Sequence, residues 1–188
     1  MSIFKRYQTR FLSTTQEEMT LHEYLQLCRD KPETYASAAE RLLKAIGEPE
    51  LIDTAHDAVL SRIFSNKVIK HYPTFNQFYG AEDAIESIVS YFRHAAQGLE
   101  ERKQILYLLG PVGGGKSSIA EKIKDLMENI PFYAIKGSPV FESPLGLFDP
   151  LEDAEILKQD YGIPNRYLNA ILSPWAVKRL NEYWVMRL

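Results

Sequence analysis

Residues 106–118 read LYLLGPVGGGKSS. An apolar run meets four glycines, a lysine and two serines with no polar transition between them. The run over 104–109, QILYLL, is almost continuously apolar, which predicts a strand buried on both faces, because a half-buried strand would alternate. The glycines then form the turn that leaves this strand. Ser117 begins a helix, in which Ile119, Ile123 and Met127 recur at four-residue intervals. PFYAIKG, residues 131–137, reads as the next strand. Strand, glycine turn, helix and strand in so short a span make a βαβ unit and predict an α/β fold, with a parallel sheet covered by helices.

Gly110, Pro111, Val112, Gly113, Gly114, Gly115, Lys116 and Ser117 match the pattern G-x-x-x-x-G-K-[ST] without a gap. The chemistry explains the spacing. A phosphate needs several donors converging on one point, and a loop stripped of Cβ atoms lets the N–H groups of residues 113–116 turn inward. The helix start adds free amides and a partial positive charge. Lys116 is expected to reach the β- and γ-phosphates and the Ser117 hydroxyl to hold Mg²⁺, so the ligands implied are ATP and Mg²⁺. Ser118 completes the candidate set as a helix residue beside the phosphates rather than on the metal. A glycine turn that binds nothing is the bland alternative, and the flanking strand and helix weigh against it.

Such a loop works with a second acid at the end of another strand, and that search fails. LGLFD is the one apolar run after the loop that ends in an acid, but Pro144 and Pro150 bracket it. Asp149 therefore reads as a turn residue, and no spacing selects Glu142, Asp153 or Asp160. The catalytic residues stay unassigned, and the expectation is a binding half-site. Arg166, Arg179 and Arg187 follow the loop, with nothing to single out a phosphate sensor among them.

Outward from the loop, AEDAIESIVSYFRHAAQG (81–98) reads as a helix: Ile85, Ile88, Val89 and Phe92 share a face, and acids occupy the first turn. Thr20 with Glu23 forms a capping box ahead of Leu21, Tyr24, Leu25 and Cys28, and Pro32 stops that helix. TYASAAERLLKAIG (34–47) predicts a second helix with Tyr35, Ala38, Ala39, Leu42, Leu43 and Ile46 on its stripe and Gly47 at its end. Residues 48–79 read as a connector with short elements. Beyond Gly137, repeated X-Pro turns break the pattern until a helical stretch that follows Pro174. The division expected is 1–79, a helical amino-terminal region and connector, and 80–188, a nucleotide-binding domain.

Composition narrows the class. With 188 residues, 45% hydrophobic and 25% charged, the chain has material for a core. A net charge of −3 supplies no general pull toward nucleic acid or acidic membranes, so neither is an expected partner. Cys28 is the single cysteine, which excludes an intrachain disulfide and suits a reducing, cytoplasmic setting, with packing as its role. The four histidines lack metal-ligand spacing. MSIFKRYQTRFLSTTQ has the basic, hydroxyl-rich look of a transit peptide, although a docked amphipathic start is the plainer reading.

FYGAEDAIESIVSYFRHAAQGLEERKQILYLLGPVGGGKSS (78–118), followed by YGIPNRYLNAILSPWAVKRL (161–180), strongly resembles the amino-terminal AAA domain of the bacterial PrkA proteins, described as serine protein kinases. The resemblance runs from about Thr20 to Leu180. It implies an AAA-type P-loop NTPase core, incomplete here, belonging to a protein that transfers phosphate from ATP to protein serine. A remodelling ATPase or a non-catalytic nucleotide-binding fragment are the alternatives. The resemblance also implies that the segment Phe78, Tyr79 and Gly80 contributes to an adenine pocket, whereas the residues alone suggest aromatic packing. It leaves the protein substrate open and a homo-oligomer possible. The tail NEYWVMRL (181–188) departs from the family pattern, which reads as a truncation.

Overall fold

The computed structural model describes residues 3–6, 18–128, 130–168 and 171–185. Most of the basic amino-terminal stretch, and with it the transit-peptide reading, lies outside the described residues.

Two capping boxes start the first helices. Thr20 and Glu23 exchange side-chain and backbone bonds, Thr20 N–H donating to Glu23 Oε2 at 2.6 Å, and helix α1 runs Leu21–Asp30. Ser37 and Glu40 repeat the arrangement at the head of α2, Ala38–Ile46, which Gly47 ends with a φ of 80°. The second start corrects the sequence expectation. Tyr35 is not on the helical stripe but in a separate 3₁₀ turn, Pro32–Tyr35, because the self-satisfied Ser37–Glu40 pair gives the chain a complete N-terminus at Ala38.

The connector holds short elements, as expected. Strand β1, Glu50–Asp53, pairs antiparallel with β2, Val68–His71, in the register Glu50↔His71 to Asp53↔Val68. A five-residue helix α3, Leu60–Phe64, lies between them, and buried Thr54 closes the gap by donating its hydroxyl to the Lys67 carbonyl at 2.7 Å. Helix α4, Glu82–Ala96, buries Ile85, Ile88 and Val89 as its periodicity requires. Helix α5, Lys116–Glu128, follows the glycine loop and buries Ile119. Helix α6, Ala154–Tyr161, was not anticipated, and α7, Pro174–Val185, begins at its proline. No described helix is long and apolar enough to cross a membrane.

Two apolar clusters hold these elements. One joins Leu42, Ile46, Tyr72, Phe75, Ile85 and Val89, with Phe78, Ile123, Leu126 and Met127 packed on it, so α2, α4 and α5 share a core. The other joins Tyr24, Leu25 and Cys28 of α1 to Leu145, Leu157, Ile163 and Leu168. Both draw residues from before and after the glycine loop.

The structure corrects both predicted core strands. Residues 105–109 form no strand, and Ile105, Tyr107 and Leu109 are 90%, 79% and 86% exposed. Residues 131–137 are likewise irregular, tied by a single ladder-like bond from Ile135 N–H to the Glu142 carbonyl at 2.9 Å. Among the described residues the strands are β1 and β2, and they pair only with each other. An apolar run becomes a central strand only when neighbours on both sides take its N–H and C=O groups, and among the described residues no strand pairs with either segment.

Candidate functional site

The glycine loop links segment 105–109, where Leu106 and Leu108 are half-buried between exposed residues, to α5, and three of its glycines have separate reasons to be there. Gly113 and Gly115 sit at φ 81° and 75°, a region that strains residues with a side chain. Gly114 is crowded instead: a Cβ there would stand 3.2 Å from the Pro111 carbonyl oxygen, which accepts the Gly114 N–H at 3.2 Å. The loop is thus a tight turn over Pro111, with open space where side chains on Gly113 and Gly115 would stand. Val112 projects entirely into solvent.

Lys116, half-buried at the first position of α5, folds back over this turn. Its Nζ donates to the carbonyls of Gly110 at 2.8 Å and Pro111 at 2.5 Å. The first intrahelical bond of α5 runs from Ile119 N–H to the Gly115 carbonyl at 2.9 Å. The amides of Lys116, Ser117 and Ser118 therefore precede the helix ladder, where no helical carbonyl is in place for them, and both serines are exposed. One ammonium, one helix N-terminus and an unobstructed glycine backbone converge on a solvent-facing turn. The donor set and the space that a Cβ would fill fit a phosphate group.

The other predicted residues are placed differently. Phe78 packs on the α2–α4–α5 core, and its ring centroid lies 6.1 Å from that of Phe75. Tyr79 is 89% exposed, and Gly80 turns the chain into α4 at φ 77°. Asp149 sits in a turn: its Oδ1 accepts the Leu151 N–H at 2.7 Å, while its own N–H is held by Asp153 at 2.8 Å. Arg166 pairs with Glu40 at 3.1 Å, and Arg179 with Glu182 at 3.1 Å. Arg187 lies outside the described residues.

Glu142, which no spacing selected, has a defined task. Its Oε2 accepts the hydroxyls of Ser173 at 2.9 Å and Ser138 at 3.0 Å, and its Oε1 takes the Ser173 N–H. The Ser173 N–H bond, with help from the two hydroxyls, holds this carboxyl below its ordinary range. Glu142 thereby anchors the start of α7, and a 31-residue separation from Ser173 hides the contact from any local pattern.

Comparison with known proteins gives the class first: the chain carries an AAA-type domain. The family described as the PrkA AAA domain matches residues 19–185, and the chain belongs to that family. It is 59% identical over 187 residues to a protein of Escherichia coli strain K12 named serine/threonine kinase YeaG, covering 97% of this chain and 29% of that protein. It is also 34% identical over 173 residues to a Bacillus subtilis strain 168 protein named ATP-dependent protease PrkA, covering 88% of this chain and 25% of that one. The chain thus spans between a quarter and a third of the length of these curated relatives. No solved structure matches.

Proposed function

We propose that the loop 110–117 is a Walker A phosphate cradle that binds ATP with Mg²⁺, as the nucleotide-binding part of a cytoplasmic, PrkA-like serine protein kinase. The observation that carries this is the Lys116 ammonium, held against the Gly110 and Pro111 carbonyls at the head of the glycine loop. In this reading the lysine exchanges those two carbonyls for the β- and γ-phosphate oxygens. The amides of residues 113–118 close around the phosphates, and the Ser117 hydroxyl is the protein's ligand to the metal. The metal, when bound, supplies positive charge that offsets negative charge on the transferring phosphoryl group. Tyr79 and Gly80, just ahead of α4, would take the adenine. Segments 105–109 and 131–137 would become strands of the parallel sheet once neighbouring strands meet them.

The Escherichia coli relative is named a serine/threonine kinase, which favours phosphate transfer to protein. A second reading is ATP turnover that drives mechanical work on another polypeptide, and the name of the Bacillus subtilis relative, ATP-dependent protease PrkA, agrees with it in coupling ATP to a protein target without phosphate transfer. Incubating the chain with Mg²⁺ and γ-labelled ATP separates them: transfer labels serine on protein, whereas mechanical turnover releases free phosphate only. The binding proposal itself is tested by calorimetry and by the melting temperature. A ligand that binds only the folded form must raise that temperature, by an amount set by about RT ln(1 + [L]/Kd) in free energy. Absence of heat and of any shift with ATP and Mg²⁺ sinks it.

A further inference from the structure

A cavity of about 330 Å³ is lined by residues of α1, the start of α2 and the end of α4 together with Phe132 and Tyr167, and none of residues 110–117 lines it. Its size lies at the lower end of the roughly 300–1,000 Å³ span of small-ligand pockets. Arg41, Arg102 and Arg166 line this cavity, and among the described residues no Asp or Glu does.

The arginines are unequally satisfied. Arg166 is neutralised by Glu40 at 3.1 Å and stacked 4.7 Å over the Tyr167 ring. Among the described residues, Arg41 and Arg102 form no ion pair with a carboxylate. Arg41 Nη1 reaches only the Pro131 carbonyl, at 3.5 Å, and its Nε is buried without a partner. Burial also pushes the Arg41 guanidinium below its ordinary pKa. Arg102 Nη1 has only the Arg166 carbonyl, at 3.3 Å. Leaving the partly desolvated Arg41 cation without a counter-charge is costly, and Glu40, its neighbour in sequence, is already engaged by Arg166, the Tyr167 hydroxyl and the Ser37 N–H.

We propose that this cavity is a binding site for a phosphate monoester, held by Arg41 and Arg102. Two guanidiniums without counter-charge match a group carrying close to two negative charges near neutral pH, and a guanidinium fork suits phosphate oxygens in pairs. The body of the ester has flat surfaces to lie on. Phe132 sits 5.2 Å beneath the Arg41 guanidinium, and Tyr35 meets Tyr167 edge-on at 4.8 Å. Tyr24 also lines the cavity, its phenol pushed above its ordinary range chiefly by burial.

The ester could belong to a small molecule or to a phosphorylated peptide, and calorimetry on the 188-residue chain distinguishes the two. The probes are phenyl phosphate and a phosphoserine hexapeptide, with phenol and the unphosphorylated peptide as controls. At least one phosphorylated probe should bind. Arg41→Gln and Arg102→Gln should each weaken it about tenfold or more, the loss of one charged hydrogen-bond donor set. Lys116→Ala and saturating Mg²⁺·ATP should leave it unchanged. Phenyl phosphate binding alone identifies a small-molecule source, and peptide binding a phosphoprotein. Arg102 lies on an exposed turn, so Arg102→Gln keeps the test readable if Arg41→Gln fails to fold. No binding of either phosphorylated probe overturns the proposal. So do equal affinity in Arg102→Gln, loss in Lys116→Ala, and competition by ATP.

Discussion

Lys116 and Glu142 show how differently two charged residues can serve the same chain. Lys116 gives its ammonium to two loop carbonyls and belongs to neither apolar cluster. Lys116→Ala should therefore change stability by no more than about 0.5 kcal/mol, as for other substitutions outside the core, while lowering ATP affinity at least about tenfold. Titration calorimetry beside thermal melts reads both, and an unfolded variant would count against the assignment. Glu142→Gln should do the opposite. The carboxyl is depressed by the Ser173 and Ser138 donors, so its stabilisation is complete above the ordinary glutamate value of 4.5 and fades as pH falls through the lower folded value. The variant should melt below the parent at pH 7, and the gap should narrow towards pH 3. A gap that stays constant over that range rules out an ionic role.

At the scale of elements, the helices rest on local signals and the strands do not. Ser37→Ala removes the acceptor for the Glu40 N–H and half of a capping box on the nine-residue α2, which should cost about 1 kcal/mol. In a chain of this size that is about 2–4 °C in melting temperature. The same locality explains what could be read in advance. Helices α1, α4 and α5 were legible because each carries its period, and the first two their end signals, within one stretch. The start of α2 was misplaced because Tyr35 happens to fit the periodicity, while the decisive Ser37–Glu40 exchange is a matter of hydrogen bonds. The short α6 was hidden behind Pro150, and the β1–β2 pairing spans 14 intervening residues with no tight-turn signal. The run at 104–109 was read as a strand because its composition fits a buried one, but composition records what a segment needs as neighbours and not whether they are present. The loop was the most legible part of the site, since its glycines, lysine and serines act through backbone geometry that spacing encodes. The Glu142 anchor and the arginine cavity depend on contacts across the chain and left no trace in the local pattern.

At the scale of the molecule, the α2–α4–α5 core ties the glycine loop's helix to the amino-terminal half. Leu42→Ala, at a position only 3% exposed, should cost about 2–5 kcal/mol and loosen α5 along with α2. Ile156→Ala, on the exposed face of α6, should stay within about 0.5 kcal/mol in the same denaturant titration. Comparable losses in the two variants would mean that the cluster is not the seat of cooperativity. The second cluster contains Cys28, 1% exposed, with its thiol pushed up to about 11 by burial. As the chain's sole sulfhydryl, wedged where segments more than a hundred positions apart meet, it is a built-in reporter of that junction. A disulfide-exchange dye at pH 8 should find it silent in the native protein and prompt in denaturant, so the colour development would time how often the two ends of the polypeptide part.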